Sequence, residues 1–374
     1  MAVTFKRTTL IIALLGLSQL AFSPVSFAKN SLNAQDQVTQ NTYREDAQII
    51  QHTFETQLYT LSATTAGHYG LRLFRQTLDP KYSAAVWSDL ARVTSTLSYI
   101  ADNIETPEQV KAYGVEQLKA YKKIQKPRTQ MRYTITSRMP EYMLIGNDLL
   151  STMARANEYG LKHKDDAKLK KLLQEFDFTP MATDHDMIRA WAAQQANQVY
   201  WLRQLGEQDV VEAFIQAFKD TYPDAQDKQL SDQQYANKIY GMTHIIFAAS
   251  EYYQKQLDPK NKEFDWIYAY FSHNIDTIIK RTKHDVIAEV GISFLLAGKL
   301  NDPALLKAQQ NIAEAIDFKH GMIPSTDGDF EVAKGEHRNV LAIMLLNWQG
   351  VNQAPTIINQ PHVFKNLPYG LMKK

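Results

Sequence analysis

The sequence contains helical segments of two kinds, and their alternation limits the possible folds more than any other feature. Residues 286–297 are apolar around almost the whole circumference of a helix, and residues 245–249 and 340–346 share this character. Residues 210–219 and 305–316 instead carry one apolar stripe opposite charged and amide side chains. A helix that is apolar on all sides is buried, whereas a helix with a single stripe lies at the surface. The pattern therefore predicts inner helices covered by outer ones.

The order of these segments predicts an all-α fold built from helical hairpins. Inner helices are predicted near residues 64–77, 139–155, 184–203, 237–254, 285–298 and 337–348. Outer helices are predicted near residues 41–60, 81–101 or 107–125, 166–176, 207–221, 263–281 and 303–317. The later inner segments start about 45 to 55 residues apart, which suits one hairpin per repeat. Six inner and six outer helices are typical of an α/α toroid, and an open helical solenoid or an irregular bundle is the alternative.

This layout resembles the α/α-toroid (six-hairpin) superfamily, which includes many glycoside hydrolases and polysaccharide lyases. The resemblance covers most of residues 40–350 and is one of helix pattern, without a diagnostic motif. The chain is also similar to uncharacterised secreted bacterial proteins that share a domain of unknown function. The toroid resemblance implies a carbohydrate substrate, and it implies no particular catalytic residue.

The first 28 residues have the pattern of a secretory signal peptide. Lys6 and Arg7 precede an apolar run at residues 10–22, and the small residues Ser26 and Ala28 follow it. Cleavage is predicted after Ala28, which would leave residues 29–40 as a flexible N-terminus. The apolar run is shorter than the roughly 20 residues that span a bilayer, and an uncleaved membrane anchor is the alternative. The predicted location is the periplasm or the outside of the cell.

Composition excludes several classes of function. The chain has 374 residues, no Cys, and 41 Lys plus Arg against 40 Asp plus Glu. Without Cys, no disulfide, thiol nucleophile or Cys-ligated zinc can form. Removing Lys6 and Arg7 with the predicted signal peptide leaves 39 positive against 40 negative residues, so no general attraction to nucleic acid is expected. No later segment has the length and apolar character of a membrane span, so no membrane association is expected after cleavage.

The lengths of the connections point to one end of the fold. Residues 41–350 are predicted to form a single toroid-like helical domain, with a C-terminal tail at residues 351–374 laid over the surface. The segments that precede inner helices, such as 127–138, 222–234 and 318–335, are longer than those that follow them. Long ordered loops often carry function, and the helix N-termini beside them favour anionic groups. A site is therefore predicted where the inner helices begin.

Polar residues in the first turns of the inner helices are the candidates for this site. Glu289 follows Asp285 by four residues in the most apolar helix, so its carboxyl pKa is expected to be raised, as in a general acid. His244 follows Tyr240 by four residues and shares its face. The catalytic candidates are Tyr240, His244, Glu289, His185 and Asp186. The substrate-binding candidates are His68, Arg189, Asp285, Glu336, His337 and Arg338.

Such a site is compatible with more than one chemistry. A glycosidase needs two carboxyl groups, and the first turns of the inner helices supply five: Asp184, Asp186, Asp285, Glu289 and Glu336. A polysaccharide lyase needs a Tyr or His base beside a cation, and Tyr240, His244, His185, Arg189 and Arg338 could serve. The sequence has no HExxH motif, and no metal or cofactor is predicted. The sequence favours a secreted glycan hydrolase, or a lyase, that binds a glycan or another small polar ligand. The alternative is a non-catalytic helical binding or assembly protein.

Overall fold

The computed structural model describes residues 34–374, with side chains from residue 41 onward. The predicted signal peptide, its cleavage site and the segment 29–33 lie outside the described residues. Residues 40–374 form one compact unit. No helix within the described part of the chain is both long enough and apolar enough to cross a membrane.

The fold is all-α. Fifteen α-helices in the described residues are α1 (Ala34–Glu55), α2 (Ala63–Thr77), α3 (Ala84–Asn103), α4 (Pro107–Lys123), α5 (Pro127–Thr136), α6 (Ser151–Glu158), α7 (Asp166–Gln174), α8 (Thr179–Thr183), α9 (His185–Leu205), α10 (Val211–Thr221), α11 (Asp232–Ala249), α12 (Asp265–Arg281), α13 (His284–Leu296), α14 (Pro303–Glu314) and α15 (Val332–Leu346). A π-helical segment, Met143–Leu150, runs directly into α6. Short strands β1 (Leu161–His163) and β2 (Leu371–Lys373) pair antiparallel, with Lys162 opposite Met372.

Side-chain caps fix where several helices begin. The side chain of Thr106 accepts a hydrogen bond from the backbone of Gln109, and the side chain of Gln109 returns one to the backbone of Thr106. Asp302 caps α14 by accepting from the backbone N–H of Ala304. In both cases a proline follows the capping residue, at a position where the missing N–H costs nothing. These local signals set the alternation of long helices and short connections.

Six helical segments form the centre of the fold: α2, the π segment with α6, α9, α11, α13 and α15. Every residue of α13 from Val286 to Leu296 is buried, whereas α4 buries three residues. Contacts run from α6 to α9, α11, α13 and α15 in turn, and α15 also packs against α2. A hydrogen-bonded ion pair of 2.7 Å between Arg75 and Glu158 joins α2 to α6. Because α15 packs against α2, the first and last central helices are neighbours, although they lie far apart in the sequence.

Two parts of the chain, one predicted loop and one predicted outer helix, differ from what the sequence predicts. The segment 127–138, expected as a long loop, contains helix α5, because Pro127 starts a helix whose Gln130 side chain donates to the carbonyl oxygen of Ile124. The segments near 81–101 and 107–125, offered as alternatives, are both helices, namely α3 and α4. The tail after residue 350 is anchored through β2 and through Phe364, which is buried against Tyr159.

Candidate functional site

Glu289 lies at the centre of a buried polar cluster. It sits in the middle of α13, where its side chain is 2% exposed and Oε2 accepts a 2.7 Å hydrogen bond from the hydroxyl of Thr243. Burial raises the pKa of the Glu289 carboxyl well above its ordinary value, more than the Thr243 hydrogen bond lowers it. The shift favours the protonated form of the carboxyl, which can donate a proton.

Two imidazole rings face the same oxygen of Glu289. Nε2 of His244 and Nε2 of His337 each lie 3.9 Å from Oε1. Burial lowers the pKa of His244 to about 3, with further contributions from the charges of His337 and Arg72. His244 is therefore neutral, and its other nitrogen, Nδ1, is 3.1 Å from the amide oxygen of Asn197. Because an amide oxygen can only accept, Nδ1 carries the proton and Nε2 turns its lone pair toward Glu289.

Asp285 and Glu289 lie one helical turn apart, and the pKa values of their carboxyl groups shift in opposite directions. Oδ2 of Asp285 is 3.4 Å from Nδ1 of His337. Burial acts to raise the pKa of Asp285, but the hydrogen bond and charge of His337, together with Arg338, outweigh it and keep the pKa below its ordinary value. His337 thus lies between a carboxyl group whose pKa is lowered and one whose pKa is raised. Pairs of carboxyl groups separated in this way divide the roles of base and acid in many hydrolytic sites.

A second pair extends the cluster toward α2. Nδ1 of His68 is 2.8 Å from Oε1 of Glu336, and the rings of His68 and His337 are 5.7 Å apart between centroids. Burial raises the pKa of Glu336 to about 7, although the charges of Arg72 and His337 act to lower it. Burial also lowers the pKa of His68.

A cavity of about 470 Å³, called cavity A here, opens beside this cluster. Its walls include Arg128, Asn237, Tyr240, Lys283, Asp285 and His337. Oδ1 of Asp285 is buried and receives no hydrogen bond among the described residues, so its hydrogen-bonding capacity is unmet. Glu289 is not part of the wall and is reached through His337, whose side chain is 33% exposed.

Four predicted site residues make other contacts. Asp186 pairs with Arg138 at 3.2 Å and with Arg189 at 3.0 Å on the outer part of α9. Nδ1 of His185 shares a 2.7 Å hydrogen bond with the hydroxyl of Thr221. Arg338 donates to the backbone carbonyl of Pro324 and so holds the loop before α15. None of these described contacts reaches Glu289.

The structure adds residues that the sequence did not single out. Arg72 lies one turn after His68 on α2, and its charge acts on the pKa values of Glu289, Glu336 and His244. The hydroxyl of Tyr252 is 3.3 Å from Nδ1 of His244. The spacing of Arg72 from His68 was a usable signal, whereas Asn197 and Tyr252 have no distinguishing local pattern. Within the described residues, no group of three or more His, Asp or Glu side chains is arranged to hold a metal ion.

Fold and site define an all-α protein with a buried imidazole–carboxyl cluster beside a cavity. The chain belongs to the family described as a domain of unknown function, DUF3541, whose model matches residues 43–374. No curated protein and no solved structure matches the chain.

Proposed function

We propose that this protein is a glycan-cleaving enzyme, most simply a hydrolase, that binds its substrate in cavity A. The observation that carries the proposal is the position of Asp285 and Glu289 one turn apart on α13 with His337 between them; the pKa of Asp285 is lowered and that of Glu289 is raised. Hydrolysis of a glycosidic bond needs one carboxylate that activates water or attacks, and one acid that protonates the leaving oxygen. The resemblance of the helix pattern to carbohydrate enzymes supports a glycan as the substrate.

Each group of the cluster has a role in this proposal. Asp285, whose pKa is kept low, lines cavity A and takes a proton from the attacking water. Glu289 supplies the proton for the leaving oxygen through His337, whose Nε2 lies 3.9 Å from Oε1 and has to close to hydrogen-bond distance when substrate binds. Because His337 is partly exposed, its ring can carry the proton to the cavity. The cavity volume of about 470 Å³ lies within the usual range of small-ligand sites, about 300–1,000 Å³.

Elimination is the second candidate, because the cavity wall also carries cations. Arg128 and Lys283 line cavity A, and Nε of Arg128 is buried with no acceptor among the described residues. Two such cations suit the carboxylate of a uronate sugar. Tyr240 or His337 would then remove the proton next to that carboxylate, and the glycosidic oxygen would leave with the bonding electrons and be protonated.

The test is incubation of the protein with a panel of neutral and acidic polysaccharides. New reducing ends without ultraviolet absorbance indicate hydrolysis, and new reducing ends with the absorbance of an unsaturated uronate indicate elimination. We expect Asp285→Asn and Glu289→Gln each to reduce turnover at least about 100-fold, the size of a typical acid–base contribution. The control Asp276→Asn changes an exposed carboxylate that pairs with Lys307 and should keep full activity.

Two outcomes contradict the proposal. Unchanged turnover in both Asp285→Asn and Glu289→Gln would show that neither carboxyl group takes part in catalysis. Glycan binding by the wild type with no turnover on any polymer would favour the non-catalytic binding protein.

We further propose that the central helices form an α/α toroid. The packing of α15 against α2, which closes the series of contacts between central helices, supports this arrangement. Cross-linking after Gln76→Cys and Leu346→Cys substitution tests it, since the side chain of Gln76 donates to backbone carbonyls at the end of α15. A toroid predicts an intramolecular cross-link, and an open solenoid predicts none.

We also propose that the protein is exported, on the strength of the N-terminal pattern of charge, apolar run and small residues. Cell fractionation and N-terminal sequencing test this proposal. A mature chain that starts at Lys29 is expected, and an intact Met1 in the cytoplasm would overturn it.

A further inference from the structure

A second cavity of about 430 Å³, called cavity B here, lies between α2, α3 and α6. Its walls include His68, Arg72, Ser88, Asp89, Arg92 and Arg155. Three arginines and one carboxylate therefore face the same enclosed space. Arginine keeps its charge at every physiological pH, so the balance of charge around this space decides what the cavity can hold.

The carboxylates near cavity B are already shared between arginines. Asp89 is 2.9 Å from Arg92 and 3.5 Å from Arg155. Glu158, which is not among the lining residues, is 2.7 Å from Arg75 and 3.3 Å from Arg155. Four guanidinium groups, counting Arg72, are thus close to two carboxyl groups.

Arg72 gains little neutralisation from the other acids near it. The carboxyl groups whose pKa values its charge affects are Glu289 and Glu336, and burial raises the pKa of both. The Nε atom of Arg72 is buried and has no hydrogen-bond acceptor among the described residues. The ring of His68, which shares the cavity wall, is neutral because burial lowers its pKa. Arg72 is half-buried, and cationic charge removed from water without a counter-charge is costly.

We infer that cavity B binds a small oxyanion group, a carboxylate or a sulfate, on Arg72, Arg92 and Arg155. The planar guanidinium fork matches both groups through paired hydrogen bonds. A volume of about 430 Å³ accommodates such a group together with the small molecule or sugar unit that carries it. The inference concerns binding alone, so it stands whether or not the protein cleaves glycans.

The position of cavity B relates the anion site to the proposed substrate site in cavity A. His68 lines cavity B, His337 lines cavity A, and their rings are 5.7 Å apart. An acidic sugar unit held in cavity B would place its neighbour beside His337. This extension rests on the proposed function and assigns an acidic glycan as the substrate class.

Titration calorimetry of the full-length protein with sodium sulfate and with sodium glucuronate tests the site, against sodium chloride at equal ionic strength. We expect both oxyanions to bind and chloride to give no saturable heat. Arg92→Gln removes one of the three arginines at a half-exposed position, and it should weaken binding at least about tenfold. The matched control Arg203→Gln removes an arginine that pairs with Asp209 on another face and should bind as the wild type does.

A second variant adds to cavity B the negative charge that its arginines lack. Ser88→Asp puts a carboxylate on the wall, so the variant should melt at a higher temperature than the wild type without ligand and should no longer bind either anion. In the wild type, tighter binding of glucuronate than of sulfate would identify a sugar acid as the source of the charge. Tighter binding of sulfate than of glucuronate would identify a sulfate ester or the free ion. No saturable binding in the wild type, or wild-type affinity in both Arg92→Gln and Ser88→Asp, would overturn the inference. Oxyanion binding together with a failure to cleave any glycan would reject the proposed function and leave cavity B as assigned.

Discussion

Nδ1 of His68 lies 2.8 Å from Oε1 of Glu336, although the two residues are 268 positions apart in the chain. The contact joins α2 to α15 and could be drawn as an ion pair. Burial instead favours a pair of neutral groups, because it lowers the pKa of His68 and raises that of Glu336 to about 7. Near neutral pH and below, the proton therefore belongs to the carboxyl, which donates it to a neutral imidazole.

Glu336→Gln should remove a pH dependence from the stability of the protein. In the wild type the folded-state pKa of about 7 lies above the ordinary value of 4.5, so the folded state keeps a proton that the unfolded state loses. The resulting stability is fully present below about pH 4.5 and is lost as the pH rises to about 7, a change of about 3 kcal/mol. Urea unfolding of both proteins from pH 4.5 to 8 measures it. We expect the variant to gain on the wild type across this window, and a difference that stays constant with pH would contradict the assignment.

Thr243→Val should destabilise the protein through Glu289. The hydroxyl of Thr243 donates to Oε2 of Glu289 at 2.7 Å, and both side chains are buried. Valine has nearly the same shape but no donor, so Oε2 is left unpaired at a cost of about 1–3 kcal/mol. Urea unfolding measures this loss, and Thr243→Ser is the control because it keeps the donor. Equal stability of the valine variant and the wild type would show that the hydrogen bond contributes nothing.

The helix order could be predicted from the sequence because a helix that is buried on all sides is also apolar on all sides. Residues 286–297 are apolar on all sides, and the structure places them in the buried helix α13. The same reasoning failed for residues 127–138, since α5 has polar residues on most of its surface and buries Thr136 alone. A helix that contributes so little to the core carries almost no periodic signal.

The candidate site could be predicted in part, for a related reason. Asp285, Glu289, His244 and His337 stand out as polar residues in apolar helices, and the structure brings them together. His185 and Asp186 have the same appearance in the sequence, yet their contacts are with Thr221 and with Arg138 and Arg189. Which face of α9 turns toward the cluster depends on packing against neighbouring helices, and no local pattern records that packing.

The position of Tyr252 beside His244 depends on an unusual turn, and Glu251→Gly should stabilise it. Glu251, Tyr252 and Tyr253 have φ angles of 52°, 55° and 72°, a left-handed run that costs about 1–2 kcal/mol per non-glycine residue. Glu251 is exposed, so glycine removes strain there without opening the core, for an expected gain of about 0.5–1 kcal/mol. Thermal and urea unfolding measure the gain. The control Glu251→Ala keeps the Cβ atom and should gain nothing, and equal stabilisation by alanine would trace the effect to the lost charge.

Lys238→Met should release the segment that precedes α11 beside cavity A. The Lys238 side chain is 0% exposed, and its Nζ lies 2.7 Å from carboxylate oxygens of both Asp224 and Asp227. Asp224 is 70% exposed and can return to water, whereas Asp227 is 17% exposed and loses a buried partner. Breaking a buried pair from one side costs about 3–5 kcal/mol, so lower stability and faster proteolytic cleavage near residues 224–229 are expected. Lys228→Met is the matched control, because Lys228 is exposed in the same segment. If both variants unfold and are cleaved alike, Lys238 does not anchor the segment.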